Sequence, residues 1–207
     1  CVVVAVDVQG GNTSRFVVQA HAVGPNREQW LVDRYEIKNS TRREGDELCS
    51  IHPASHPEDW DVLTDKIIRS TYRTPDEGRE IRIKMLVVDT GGEDGTTDNA
   101  YAWFRRIRKE GYANRVMLYK GASTRNAPII KESLVGKRHG REVGDVPLYL
   151  CNPNLLSDIV SSGLRRHDDG AGAIHFPTWL STSFFDELQA ETRGINGVWS
   201  QIRKRNE

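Results

Sequence analysis

Two short segments of the chain hold residue types suited to chemistry. "VVVAVDVQGG" (residues 2–11) and "MLVVDTGG" (residues 85–92) each run as an apolar strand, deliver an aspartate (Asp7 or Asp89), and then break at a glycine pair. Two carboxylates held a few ångströms apart repel one another and raise one pKa unless a cation lies between them. Hard oxygen donors of this kind suit Mg²⁺ or Mn²⁺. Two such ions about 3.5–4 Å apart activate water and stabilise the leaving oxygen in phosphodiester cleavage. Glycines just beyond each aspartate leave room for a phosphate backbone to approach. The competing structural reading is that each aspartate caps its own turn.

The elements that must position these acids follow from the hydrophobic patterning. Residues 2–8, β-branched and apolar, read as a strand buried on both faces. Strands over 14–23 and 29–37, joined by Gly24-Pro25-Asn26, complete an antiparallel meander. The polar stretch from Asn39 to His56 reads as a surface loop. A helix follows, with Ser55 as cap and Pro57 in its first turn, burying Trp60, Leu63, Ile67 and Ile68. "IRIKMLVVD" is the next strand, ending on Asp89. A helix from about Thr97 to Glu110 buries Ala100, Trp103, Phe104 and Ile107 and stops at Gly111. "RVMLYK" and "PLYLC" are further strands, and the basic, weakly periodic stretch 121–144 between them reads as a mobile loop. "NLLSDIVSSGL" is a helix, "AIHFP" a short strand, and "STSFFDELQAE" a helix capped by Ser181 or Thr182. Strand–helix–strand units favour parallel pairing. The expected fold class is therefore α/β, a ribonuclease H-like mixed sheet flanked by helices. In it the first strand is central, the Asp89 strand lies beside it, and Asp7 and Asp89 approach one another.

Composition narrows the function further. A chain of 207 residues with no long apolar run leaves no span for a membrane helix. Three cysteines without a CxxC pair, and six histidines without HxH or HExxH, argue against structural zinc. Formal net charge is zero, but basic residues cluster at 105–109, 137–141, 165–166 and 203–205, where they can attract phosphate. The start at Cys1-Val2-Val3-Val4, directly in a strand, reads as a domain cut from a longer polypeptide. The turns "DVQGGNTS" and "DTGGED" also look like the phosphate loops of actin-like ATPases and sugar kinases. Such enzymes need two lobes, and no GxxxxGK[ST] motif is present.

The ordered set "VDVQGG" (6–11), "VVDTGG" (87–92) followed by "NAYAWFRR", "LYKGAS" (118–123), and "IHFP" (174–177) leading into "FFDELQAE" (184–191) resembles the nuclease domain of the large terminase subunit of tailed bacteriophages, in its lambda-like branch. The resemblance covers nearly the whole chain. It implies a single nuclease domain over 1–207, preceded in the full-length protein by an ATPase domain. It also implies a metal-dependent endonuclease that cuts concatemeric double-stranded viral DNA during packaging, in the cytoplasm of the infected host. The implied partners are DNA and, through the full-length protein, the small terminase subunit and portal. Carried over by position, Asp7 and Asp89 are the first two metal-binding acids, holding two Mg²⁺ or Mn²⁺ ions, and Lys120 is the lysine of the "KG" segment. At a strand end its charge can stabilise the scissile phosphate.

Two departures from the family pattern bear on the third acid. "CNPNLLSD" (151–158) has Asn154 and Ser157 where the family has aspartate and lysine, and retains the final acid as Asp158, a candidate metal ligand. The third acid of the family follows a stretch that "VWSQIRKRNE" (198–207) resembles, so its counterpart is expected beyond residue 207. Backbone contacts to DNA are expected from the basic loop 120–141, with Lys120, Arg125, Lys137, Arg138 and Arg141. His175 is read as structural rather than as a general base, and Trp103 and Phe104 as core. The alternatives left open are an actin-like phosphotransferase lobe and a DNA-binding packaging module inactive by itself.

Overall fold

Valines at every second position of the first strand set the plan of the molecule, because side chains alternate between the two faces of a sheet. In the computed structural model, which describes residues 1–76, 78–138, 141–166 and 168–202, β1 (Val2–Gln9) buries Val2, Val4, Val6 and Val8 on one face. Val3, Ala5, Asp7 and Gln9 project from the other, where Ala5 and Asp7 are exposed. The strand is thus buried on one face, not on both as its composition suggests.

β1 pairs antiparallel with β2 (Arg15–Val23), which pairs antiparallel with β3 (Gln29–Ile37), giving the expected meander. The stretch read as a loop after β3 contains a small hairpin, β4 (Asn39–Glu44) and β5 (Glu47–Ser50). Its residues are mostly polar and solvated on both faces, so no apolar period marks it. The following helical segment is irregular: a 3₁₀ turn Pro57–Trp60, a short α1 (Asp61–Leu63), and a π turn Thr64–Ile68. Ser55 does not cap it; His56 occupies the cap position without a side-chain bond. β6 (Thr71–Arg73) then pairs antiparallel with the start of β7 (Glu80–Asp89).

β7 lies parallel to β1, and α2 (Thr96–Lys109) crosses from it to β8 (Val116–Gly121), parallel to β7. The region 121–144 is not a loop. It holds β9 (Ile130–Arg138) and the first part of β10 (Arg141–Cys151), paired antiparallel, with β10 parallel to β8. α3 (Pro153–Leu164) is capped by Asn152, whose side chain accepts from the Asn154 and Leu155 amides. β11 (Ile174–His175) adds to the β3 edge, α4 (Thr182–Leu188) follows, and β12 (Glu191–Arg193) and β13 (Trp199–Gln201) close a terminal hairpin. The principal sheet runs β11-β3-β2-β1-β7-β8-β10-β9, with β6 on β7. This mixed sheet flanked by helices is a ribonuclease H-like arrangement.

The core lies on one side of that sheet. The even valines of β1 pack with Phe16, Leu86, Val88 and Leu118 against Trp60, Leu63, Ile67, Trp103, Phe104 and Ile107. Asp59, fully buried, pins this layer: its carboxylate accepts from Ser40, from Arg42 Nε at 2.6 Å and from the His52 amide at 2.6 Å. Gly95, at φ +97, brings the start of α2 so close to Ala54 that an added Cβ would stand 2.4 Å from the Ala54 carbonyl oxygen. The other side of the sheet is covered thinly. Of α3 only Gly163 is buried, and of α4 only Phe184.

Candidate active site

The sequence dictates where the two aspartates meet. In the parallel β1–β7 ladder Val6 pairs with Val88, and the next step along both strands sets Asp7 beside Asp89. Neighbouring strands lie about 4.8 Å apart. Both side chains share the open face, since the residues on either side of each pair alternate into the core. Asp7 accepts a hydrogen bond from the Gln9 side-chain amide on its Oδ2. Asp89 accepts one from the Gly91 amide on Oδ1 at 2.8 Å. Asp7 Oδ1 and Asp89 Oδ2 take no bond from the described residues. Each acid is therefore oriented by a local donor and presents one free oxygen. The Gly91 bond is the turn-capping role anticipated by the structural reading of Asp89, and it leaves the second oxygen available.

The same row of the sheet continues outward on both sides. Asp7 pairs with Val17, and Val17 with Glu36; Asp89 pairs with Tyr119, and Tyr119 with Tyr149. Burial pushes the Tyr119 phenol well above its ordinary range, and the negative charges of Asp89 and Asp7 push it further. Tyr119 is thus a neutral phenol next to Asp89 in this row. Its aromatic type, in a strand read only as apolar, hid this placement.

A further carboxylate enters from the loop after β7. A Cβ on Gly10 would lie 2.7 Å from Glu93 Cδ, so Glu93 rests over the β1–β2 turn in space that only glycine leaves. The proximity of the two Asp–Gly-Gly turns was the available signal, because parallel neighbours bring their following loops together.

Other expected site residues are placed differently. Lys120 follows Tyr119 and so alternates to the opposite face; it pairs with Leu150, which packs against the core side. It stands exposed at the end of β8 and is not brought onto the face of the two acids. Asp158 has both carboxylate oxygens engaged: Oδ1 accepts from Arg193 Nε at 2.7 Å and Trp199 Nε1 at 2.8 Å, and Oδ2 from Arg193 Nη2 at 3.2 Å. The Trp199 bond and the Arg193 charge hold its carboxyl below the usual range. Arg125 donates to the Asn196 carbonyl. Lys137, Arg138 and Arg141 lie in the β9–β10 hairpin, with side chains outside the described residues, and the basic run 203–205 lies outside them as well. The three arginines of the α2 cluster are engaged internally, Arg105 and Arg108 by Asp145 and Arg106 by Asp61. His175, read as structural, stacks on Trp30 and meets Glu28 at 2.8 Å. Glu28, Asp169 and His175 bring donor atoms within 4.8 Å of one another, but at the opposite end of β3 from the Asp7 row.

A groove of about 1000 Å³ runs past Asp7 between the open face, α3 and the terminal hairpin. It adjoins a more apolar cavity of about 830 Å³ floored by Val3, Ala5 and His21, whose buried Nδ1 has no partner among the described residues. Burial also lowers the His21 pKa. A groove lined by one of two neighbouring carboxylates, Asp7, suits a polyanionic substrate held through cations.

Comparison with known proteins gives the family of this site. A family model described as the terminase large subunit gpA endonuclease domain matches residues 1–207. The chain belongs to that family. The terminase large subunit of Escherichia phage lambda is 24% identical over 205 residues, covering 93% of this chain and 28% of the relative. This terminase nuclease-family domain thus spans about a quarter of the length of that protein. No solved structure matches it. No helix among its described residues is long and apolar enough to cross a membrane.

Proposed function

We propose that this terminase domain is a metal-dependent endonuclease that hydrolyses double-stranded viral DNA during packaging. The observation that carries this reading is the side-by-side placement of Asp7 and Asp89 on an open sheet face, each with one oxygen free. The donor set supports hard divalent cations: two adjacent carboxylates, with no thiolate and no imidazole in their row. The absent Cβ of Gly10 makes room for the Glu93 carboxylate, and Gly91 adds no side chain beside Asp89. Mg²⁺ or Mn²⁺, two ions in this reading, supplies an activated water and offsets charge on the phosphorus oxygens when bound.

The chain's own residues do the positioning. Gln9 and the Gly91 amide hold the two carboxylates in orientation, and the neutral Tyr119 phenol flanks Asp89 without adding negative charge. Lys120, Arg125, Lys137, Arg138 and Arg141 serve as contacts to the DNA backbone rather than to the reacting atoms. Asp158 serves the terminal hairpin rather than the cation. The small terminase subunit and portal are partners of the full-length protein, which acts in the cytoplasm of the infected host.

The test is nicking of supercoiled plasmid in Mn²⁺, with and without EDTA, beside Asp7→Ala and Asp89→Ala. Metal-dependent nicking lost in both variants is the expected result. Nicking that survives both substitutions overturns the site, and ATP turnover favours a phosphotransferase.

A further inference from the structure

Four arginines line the groove that passes Asp7, and three of them are engaged by the protein itself. Arg15 Nε donates to Glu36 at 2.8 Å, Arg34 Nη2 to Glu187 at 2.5 Å, and Arg193 Nε to Asp158 at 2.7 Å. Arg165 differs. It follows the last turn of α3, is exposed, and its guanidinium has neither a carboxylate nor a carbonyl partner among the described residues. An arginine already neutralised by a carboxylate offers a phosphate less net charge and fewer donors, whereas an unpaired one offers its whole fork.

Arg165 is also in register with two hydroxyls. Ser161 and Ser157 precede it on α3 at intervals of four residues and line the same groove. Neither hydroxyl is hydrogen-bonded within the described residues. Four helical residues advance about 6 Å along the axis, the scale on which successive phosphates follow one another along a strand. One wall of the groove therefore carries Asp7, and the other a hydroxyl–hydroxyl–guanidinium track.

We propose that Arg165, with Ser161 and Ser157, is the contact through which α3 holds the phosphates of the strand presented to Asp7 and Asp89. This rests on the reading of the chain as a DNA endonuclease domain. Arg165 is a positioning residue: it neutralises a phosphate and fixes the strand along the groove, while the hydroxyls donate to neighbouring phosphate oxygens. Contacts of this type carry no base information, so the track aligns the duplex without selecting sequence.

The test is fluorescence anisotropy of a labelled duplex titrated with the domain in EDTA, across a range of NaCl concentrations. Arg165→Ala is expected to weaken binding about tenfold at low salt and to reduce the slope of log K against log[salt] by about one. Arg165→Lys should restore the slope, and Ser157→Ala with Ser161→Ala should weaken binding while leaving it unchanged. Lys66→Ala, removing an exposed cation with no partner among the described residues from the helical layer on the other side of the sheet, should alter neither quantity. A natively folded Arg165→Ala domain with wild-type affinity and slope overturns the contact, as does a wild-type domain that binds no DNA. The plasmid assay keeps the two readings apart. Nicking that requires both aspartates, combined with an unchanged Arg165→Ala slope, sinks the contact alone. A reduced slope in a domain that never nicks leaves the contact standing and sinks the endonuclease reading.

Discussion

Asp7 and Asp89 stand at the same level of two neighbouring parallel strands, each oriented by one local donor and each with one oxygen that no described residue engages. Like charges so placed destabilise the apo fold by roughly 0.2–1 kcal/mol. Asp7→Asn should therefore leave thermal stability in EDTA unchanged or slightly higher. In wild-type protein, Mn²⁺ at about a hundred times its Kd should add about 2.7 kcal/mol of stability, and Asp7→Asn should abolish that gain. Thermal unfolding with and without Mn²⁺ checks both; an equal metal-induced shift in the variant would remove Asp7 from the ligand set.

Asp158 answers to Trp199 and Arg193. Asp158→Ala should leave Mn²⁺ affinity by calorimetry unchanged while speeding amide exchange over 191–202. A loss of metal affinity with unaltered exchange would return Asp158 to the cation.

Asp59 ties the β4–β5 hairpin to the helical layer. Burial pushes its carboxyl up, but the Arg42 guanidinium, the His52 amide and the Ser40 hydroxyl together outweigh this and hold it below the ordinary range. A depressed folded value means that its stabilising contribution is complete above the ordinary carboxylate range of about 4 and is lost as pH falls through the folded value. Arg42→Ala should cost about 3–5 kcal/mol at pH 7 by leaving a buried charge without its partner. The same variant should show a flatter loss of stability in acid. Urea unfolding at pH 7 and pH 3 measures the difference.

Gly95 combines a positive φ with the close approach of the Ala54 carbonyl. Gly95→Ala should destabilise the domain by about 1–3 kcal/mol from backbone strain, with more from the clash, and lower the Tm. Gly111, also at positive φ but with nothing near its absent Cβ, should lose only the strain.

The meander, β7, α2 and the meeting of the two aspartates could be read from the chain, because their apolar residues recur at strand or helix period and one face of each is buried. The hairpins β4–β5, β9–β10 and β12–β13 could not. Ile130, Leu134 and Val143 are exposed, so apolar and polar residues do not sort by face there. Lys120 shows a finer limit. The KG segment marks a strand end, but a shift of one residue turns a side chain to the opposite face of the sheet, and Tyr119 occupies the position beside the acids instead. Arg165 was visible only as one member of a basic pair; its significance depends on which neighbouring arginines already have partners.

Alternate residues of β1 divide two kinds of obligation. Val2, Val4, Val6 and Val8 answer to the core, and Asp7 and Gln9 to whatever enters the groove. Substitutions at the second set leave the first undisturbed, so such a strand can change what its enzyme acts upon without first becoming a worse scaffold.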